Sequence, residues 1–292
     1  MANLKEIRTR ISSVKTTRQV TSAMKMVSAA KLKKAQDAIL QIRPYAEKLS
    51  DLLSSLSSAL ENADNSVYTV QRNPEKVLIV LISSNRGLCG GFNSNISKRA
   101  IIQSRTVYKK QLEKSKLDFL VIGKQGGKVL NSYHCKTIGD KNFLFDNLSF
   151  DNVAEVAKSI MADFVVGKYD RVELVYNKFI NAASQDLVCE QFLPVVPSSG
   201  DNKKTNLDYI YEPSLEYIVE ELIPRSLKIQ FYKALLDSHA AEHGARMTAM
   251  HKATDNASDL INELTLTFNK ARQAAITNAI LEVTNGAEAL NG

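Results

Sequence analysis

A glycine-rich loop is the first pattern in this sequence that could support chemistry. Gly87, Gly90 and Gly91 follow a continuous apolar run, and backbone N–H groups at such a position can cradle a phosphate. Their spacing matches neither G-x-x-x-x-G-K-[ST] nor G-x-G-x-x-G, and no Lys-Ser or Lys-Thr pair follows directly. The favoured interpretation is therefore a tight turn between a strand and a helix.

The second pattern is a pair of histidines in the order H-x-x-E-H, formed by His239, Glu242 and His243. This order occurs in a class of zinc proteases, and histidines one helical turn apart can bind one metal ion. A catalytic zinc also needs a third ligand from another element and a cleft, for which the sequence gives no signal. We expect the two histidines to be solvated on a polar helix face, with no metal bound.

A basic segment at the start of the chain is the third pattern. Residues 1–48 contain eleven lysines or arginines and three acids, a local balance of +8 in a chain of net charge +7. Such a segment favours an acidic partner, which can be nucleic acid, anionic lipid or protein. The cluster of Lys31, Lys33 and Lys34 has no interleaved aromatic residues and matches no nucleic-acid-binding motif.

The remaining reactive residues indicate no enzyme. Cys89, Cys135 and Cys189 match no zinc or redox spacing, which favours a reducing compartment. No serine, cysteine or carboxylate pair lies in a recognisable catalytic setting, so we predict no catalytic residue, cofactor or metal. Residues 1–10 lack the apolar stretch of a signal peptide. No run approaches the ~20 apolar residues of a membrane span, so the membrane is reached only through partners.

Apolar periodicity defines the elements at the two ends of the chain. From Leu4 to Leu60, seam positions alternate in steps of three and four residues, the pattern of a coiled coil. A helix of this length would span ~85 Å. Polar residues occupy the seam between residues 18 and 28, so we expect the apolar face to rotate there onto Val20, Met24 and Val27. From about Pro224 to Leu290 the chain is helical again, with small residues on its apolar face.

The middle of the chain alternates strands and helices. Val77–Ile82, Phe119–Ile122 and Val172–Tyr176 are predicted strands, and residues 95–114 and 153–165 are predicted helices. Such alternation indicates an α/β layer with a mostly parallel sheet. The predicted fold class is therefore α/β, a long antiparallel coiled coil of the N- and C-terminal helices with an inserted Rossmann-like α/β domain. Its predicted domains are residues 1–60, 75–200 and 208–292.

Several separated segments resemble one known family. Residues 4–36 resemble the start of the gamma subunit of bacterial F-type ATP synthases, and Ser83–Asn93 resembles the family's loop after its first strand. Matching segments follow in order near the C-terminus, at Ala245–Met250, Asn269–Thr277 and Gly286–Leu290. The resemblance extends from end to end of the chain.

The resemblance implies a central rotor shaft without an active site of its own. In the family, a single gamma subunit stands inside a ring of three alpha and three beta subunits, and its foot meets epsilon and the membrane ring of c subunits. Proton-driven rotation of the c ring turns the shaft, and the shaft drives the beta subunits through their catalytic states. The implied location is peripheral, at the cytoplasmic face of a bacterial cell membrane. A nucleic-acid-binding coiled coil and a zinc hydrolase are the alternatives from other classes.

The resemblance also implies which residues meet the partners. The expected c-ring contacts are Tyr209 and Glu212, and Met24 is expected to lie near the group from Arg272 to Thr277. Asn85 and Ala279 depart from the family, which usually has Asp and Glu there. The expected contacts with beta are Met24, Arg86, Arg246, Arg272, Gln273 and Thr277.

Overall fold

The structure is a computed structural model that describes residues 4–59, 67–195 and 215–291. The chain divides into two compact units, one formed by Met1–Ser28 with Met247–Gly292 and the other by Ala29–Arg246. No helix in the described part of the chain is long and apolar enough to cross a membrane. The helices are α1 (Leu4–Ala59), α2 (Phe92–Thr106), α3 (Lys109–Glu113), α4 (Lys124–Ser132), α5 (Phe150–Val165) and α6 (Leu215–Asn291). The strands are β1 (Val77–Ile82), β2 (Leu117–Ile122), β3 (Thr137–Asp140), β4 (Arg171–Phe179) and β5 (Gln185–Leu193).

The first unit is an antiparallel pair of helices made by the start of α1 and the second half of α6. The hydroxyls of Thr21 and Thr254 lie 2.9 Å apart, and Lys25 Nζ lies 3.4 Å from His251 Nδ1. From the first contact to the second, the residue number rises along α1 and falls along α6, so the two helices run antiparallel. The predicted pairing of the two terminal helices is confirmed.

Thr21, Lys25 and Ser28 are partly or fully buried in the seam of this pair, although Arg18 is exposed. The predicted rotation of the apolar face onto Val20 and Val27 is therefore wrong. Ser28 is buried, whereas Val20 and Val27 are 53% and 57% exposed. Small hydroxyl residues fit the seam because they can bond to their own helix: Ser28 donates to the carbonyl of Met24 over 2.8 Å. A buried hydroxyl that keeps such a partner is not left unsatisfied.

The second unit is a five-stranded sheet covered on both faces. The strand order is β3-β2-β1-β4-β5, with β1 parallel to β2 and β4, and with β5 antiparallel to β4. All six residues of β1 are buried, as a central parallel strand requires. Alternate residues face opposite layers: Val80 packs with residues of α5 and α6, and Ile79 with residues of α2 and α4.

One predicted helix differs from the observed structure. The region predicted as a single helix over 95–114 forms α2 and α3, with Tyr108 between them. Tyr108 is buried and its hydroxyl donates to Glu173 of β4. That long-range bond fixes the break, and burial is the main cause that raises the pKa of Tyr108.

The seam of α1 continues in the second unit through Leu32, Ala35, Ile39 and Leu49, which are all buried.

Candidate functional site

The glycine-rich loop lies at the place where many α/β proteins bind ligands. It leaves the carboxyl end of β1, and the strand order reverses direction between β1 and β4. In open α/β sheets the crevice at such a switch point commonly holds a nucleotide. What fills this crevice therefore decides whether the unit can act as a binding domain.

Helix α6 fills the crevice with small residues. Ala241 packs against Cys89 and Phe92, and Ala245 lies against the same cluster. A Cβ atom added to Gly244 would lie 3.2 Å from the carbonyl oxygen of Ala182, so the helix backbone approaches the loop after β4 closely. The space that a nucleotide would use in other α/β folds is taken by the protein's own helix.

The loop also presents the wrong atoms for a phosphate. Arg246 Nε donates to the carbonyl of Gly87 over 3.2 Å, and one terminal nitrogen of the same side chain donates to the carbonyl of Arg86 over 3.0 Å. The other terminal nitrogen pairs with Glu242 at 2.7 Å, and both side chains are buried. A phosphate site needs converging N–H groups, whereas this loop turns carbonyl oxygens toward a cation.

Asn85 is fitted to this loop by both ends of its amide. Its Nδ2 donates to the carbonyl of Asn142 over 3.0 Å, and its Oδ1 accepts from the backbone N–H of Lys124 over 3.2 Å. A carboxylate has no donor for that carbonyl. The structure therefore gives a local reason for Asn at this position, where the resemblance implies Asp.

The two histidines of the H-x-x-E-H pattern are not solvated, so that expectation is wrong. His243 is buried and His239 is half-buried, with their Nε2 atoms 3.1 Å apart. His239 also stacks on Phe145, with a ring distance of 6.1 Å. Burial, followed by nearby positive charges, lowers the pKa of His239 to about 4; burial and then His239 lower the pKa of His243 to about 3. Both rings are therefore neutral at physiological pH.

The hydrogen bonds around the histidines disfavour a metal ion. Arg246 can only donate, so the Nδ1 of His243, 3.4 Å away, accepts. His243 then carries its proton on Nε2 and gives it to His239, so only one of the two facing nitrogens has a free lone pair. Among the described residues, no group of three or more His, Cys, Asp or Glu side chains could hold a metal.

The predicted contact residues are divided between the two units. In the second unit, the Arg246 guanidinium binds the Arg86 carbonyl. Tyr209 and Glu212 lie outside the described residues. Four of the six side chains are exposed, those of Arg86, Arg272, Gln273 and Thr277. Met24 is half-buried and Arg246 is buried.

The expectation that Met24 lies near the group from Arg272 to Thr277 is wrong. The contacts of Thr21 with Thr254 and of Lys25 with His251 place Met24 opposite residues 251–254 of α6. Arg272 follows Thr254 by 18 residues, which is about 27 Å along a helix. Any link between Met24 and that group must act over this distance.

Sequence reasoning missed one residue of the loop after β1 and one residue of α6. Leu88 is 64% exposed although it is a leucine, and its backbone φ is 61°. Glu242 was read only as part of a zinc motif, yet it neutralises Arg246. No sequence pattern marks the exposure of Leu88 or the ion pair of Glu242, because both depend on how the loop meets α6.

These features define a class of protein that combines an antiparallel pair of long helices with an α/β unit whose switch-point crevice is filled by its own helix. Comparisons with known proteins give the same class. The family described as ATP synthase matches residues 3–290. The ATP synthase gamma chain of Flavobacterium johnsoniae is 58% identical over 292 residues, covering all of both chains.

Solved structures agree on the fold. The central stalk and c-ring structure of the Tetrahymena thermophila mitochondrial ATP synthase matches with a TM-score of 0.56 and 26% identity, over 80% of this chain and 99% of that one. The rotor structure of the Euglena gracilis mitochondrial ATP synthase matches with a TM-score of 0.63 and 21% identity, over 94% and 98%. The chain belongs to the ATP synthase gamma chain family.

Proposed function

We propose that this chain is the central rotor shaft of an F-type ATP synthase. It couples proton-driven rotation of a c ring to conformational cycling of the catalytic beta subunits, and it contributes no catalytic residue. The observation that carries this proposal is the 58% identity to a gamma chain along the entire length. The filled crevice and the carbonyl-lined loop agree with it, because neither offers a place for ATP.

The surface of the helix pair suits a shaft that turns inside a ring of partners. Arg272, Gln273 and Thr277 lie on a stretch of α6 that is exposed from residue 272 through residue 287. The proposed partners are three alpha and three beta subunits around one copy of this chain, with epsilon and the c ring at its foot. The proposed location is peripheral, at the cytoplasmic face of a bacterial membrane.

The residue-level proposal follows the exposure of each side chain. Arg86, Arg272 and Gln273 contact beta directly through polar groups, and Thr277 lies on the same exposed stretch. Met24 contacts beta with the part of its side chain that the helix pair leaves exposed. The contacts of Tyr209 and Glu212 with the c ring complete the proposal.

Rotation is the direct test of the shaft. The full chain is assembled with alpha and beta subunits that are fixed to a surface, and a bead is attached through Val166→Cys, a position that is 83% exposed on the α/β unit. A background without Cys135 and Cys189, which are both half-buried, prevents a second attachment, because the remaining Cys89 is buried. With Mg-ATP we expect the bead to rotate in one direction. ATP hydrolysis by the complex with a stationary bead, or hydrolysis by the chain alone, contradicts the proposal.

A lysine at Met24 tests coupling. Met24 is half-buried, and the adjacent Lys25 already faces His251. The basic N-terminal segment favours an acidic surface on the partner that faces it, so we expect Met24→Lys to place a cation against that surface and to hold one rotational state too strongly. Proton pumping should then fall several-fold while ATP hydrolysis stays near normal.

The matched control for this prediction is Met24→Leu, which keeps the apolar volume without adding charge. It should leave both activities unchanged in the same membranes. If pumping and hydrolysis fall in proportion in the lysine variant, Met24 acts only as packing of the helix pair.

A further inference from the structure

A groove opens on the surface of the second unit, on the face of the sheet that α5 and α6 cover. Residues of α5, of α6 and of the loop before β1 line it, and all of them belong to this one unit. The groove has a volume of about 360 Å³. Sites for small molecules commonly have volumes of about 300–1,000 Å³, so the groove is large enough for a small ligand.

Most of the lining is apolar. Met161 is buried and Val165 is 41% exposed, and both line the groove together with Pro224 of α6. Tyr68 also lines it; this tyrosine packs against the core, and its carbonyl accepts from the N–H of Val195 over 2.9 Å. A hydrocarbon chain in the groove would remove apolar surface from water, and the flexible side chain of Met161 can adapt to its shape.

Two lysines add positive charge to this apolar lining. Lys158 belongs to α5 and Lys228 to α6, so each helix contributes one ammonium group. Lys158 pairs with Glu155 over 2.6 Å, but both side chains are more than half exposed, and such pairs contribute little to stability. The bond to Lys158 is the main cause that lowers the pKa of Glu155, and Lys228 adds to it. One carboxylate therefore serves two ammonium groups.

Lys228 is the cation that remains available. Among the described residues, no carboxylate forms an ion pair with it. Its side chain is half-buried, so its charge is less well solvated than that of a fully exposed lysine. An anion placed at the groove would supply the missing partner.

We propose that this groove binds an anionic amphiphile, a molecule with a hydrocarbon chain and a carboxylate or phosphate headgroup. The headgroup pairs with Lys228 and shares Lys158 with Glu155, while the chain lies along Met161 and Val165. A neutral apolar ligand would leave the lysines unused, and a small inorganic anion would leave the apolar walls unused. The site belongs to the free chain, so it does not depend on the proposed function.

Calorimetric titration of the full chain with dodecanoate, below its micellar concentration, tests the site. We expect saturable binding to a single site. Dodecyl maltoside has the same hydrocarbon chain without the charge, and inorganic phosphate has the charge without the chain. Both should bind at least ~10-fold more weakly, because each lacks one of the two contacts. No binding of dodecanoate, or equally tight binding of either comparison compound, overturns the proposal.

Two substitutions locate the binding in the groove. Lys228→Met removes the charge and keeps an unbranched apolar side chain, and Ala162→Phe fills the groove without changing any charge. Each should weaken dodecanoate binding at least ~10-fold, with the melting temperature of the chain little changed, because Lys228 is only half-buried and Ala162 is exposed. The matched control is Lys128→Met, an exposed lysine of α4 on the other face of the sheet, which should bind as the unchanged chain does. If either groove variant also binds as the unchanged chain does, the groove is not the site.

Vesicles distinguish a membrane lipid from a free amphiphile as the source of the ligand. Flotation compares vesicles of phosphatidylglycerol with vesicles of phosphatidylcholine. A net charge of +7 favours any anionic surface, so the informative comparison is between the unchanged chain and Ala162→Phe, which has the same charge. Weaker retention of the variant on phosphatidylglycerol supports a membrane lipid. Equal retention, with dodecanoate binding still lost in the variant, supports a free amphiphile.

Discussion

Replacing Gly126 by alanine should destabilise the α/β unit by about 2–4 kcal/mol, the sum of overpacking and one lost buried hydrogen bond. A Cβ atom there would lie 2.5 Å from Ser83 Oγ and 2.9 Å from Ser83 Cβ. The hydroxyl of Ser83 accepts from the Gly126 N–H over 2.9 Å and donates to the carbonyl of Gly123 over 2.9 Å. Ser83 is fully buried, so turning its side chain away leaves these groups without partners.

The neighbouring residue provides the control. A Cβ atom on Gly127 would lie no closer than 3.7 Å to Val121 Cγ1, and Gly127 is in the same helix, α4. Gly127→Ala should therefore be neutral or stabilise the unit by up to ~1 kcal/mol through helix propensity. Urea denaturation followed by tyrosine fluorescence measures both variants. Equal midpoints for the two would show that Ser83 can be displaced without loss.

The elements that could be predicted from the sequence are those with strong periodicity. β1 is a continuous apolar run and was predicted with its observed bounds, and the heptad seam predicted α1. β3 was not predicted, because all four of its residues are exposed and give no alternation. The missed break between α2 and α3 depends on Tyr108 meeting Glu173, which lies 65 residues further along the chain.

The polar part of the seam shows why the predicted rotation failed. The prediction assumed that a coiled-coil seam must be apolar, and so moved the face onto Val20 and Val27. In the structure Thr21 and Thr254 face each other, and Ser28 bonds to its own helix. A search for apolar periodicity does not detect a seam residue whose hydroxyl forms a hydrogen bond within its own helix.

The candidate site was predictable in its residue types but not in its geometry. Arg86 and Arg246 were both expected to meet beta, and only the structure shows that Arg246 is buried beneath the loop that carries Arg86. The histidine pattern likewise has the spacing of a metal site, while burial and nearby cations lower the pKa of both rings. Burial and tautomer depend on contacts between α6 and the loop after β1, which are far apart in sequence.

The second large effect is expected at the buried ion pair. Arg246→Met should destabilise the chain by about 3–5 kcal/mol, because it leaves Glu242 buried without its partner. Glu242→Gln should lose only about 1–2 kcal/mol, since Arg246 keeps its bonds to the carbonyls of Arg86 and Gly87. The double variant with Met at both positions should recover most of the loss, because no charge then remains buried. Urea denaturation at neutral pH measures the three variants.

The pH dependence of Arg246→Met gives an independent check. Burial already raises the pKa of Glu242, and Arg246 is the main group that opposes this rise. Without Arg246 the folded-state pKa lies further above the unfolded value, so between the two values the folded chain binds more protons than the unfolded chain. Stability of this variant should therefore be highest near the unfolded pKa of about 4.3 and fall as the pH rises toward neutrality. The double variant lacks the carboxylate and should not show the extra slope. If Arg246→Met and Glu242→Gln lose equal stability and share one pH profile, the carbonyl bonds of Arg246 contribute nothing and the loop is held by packing alone.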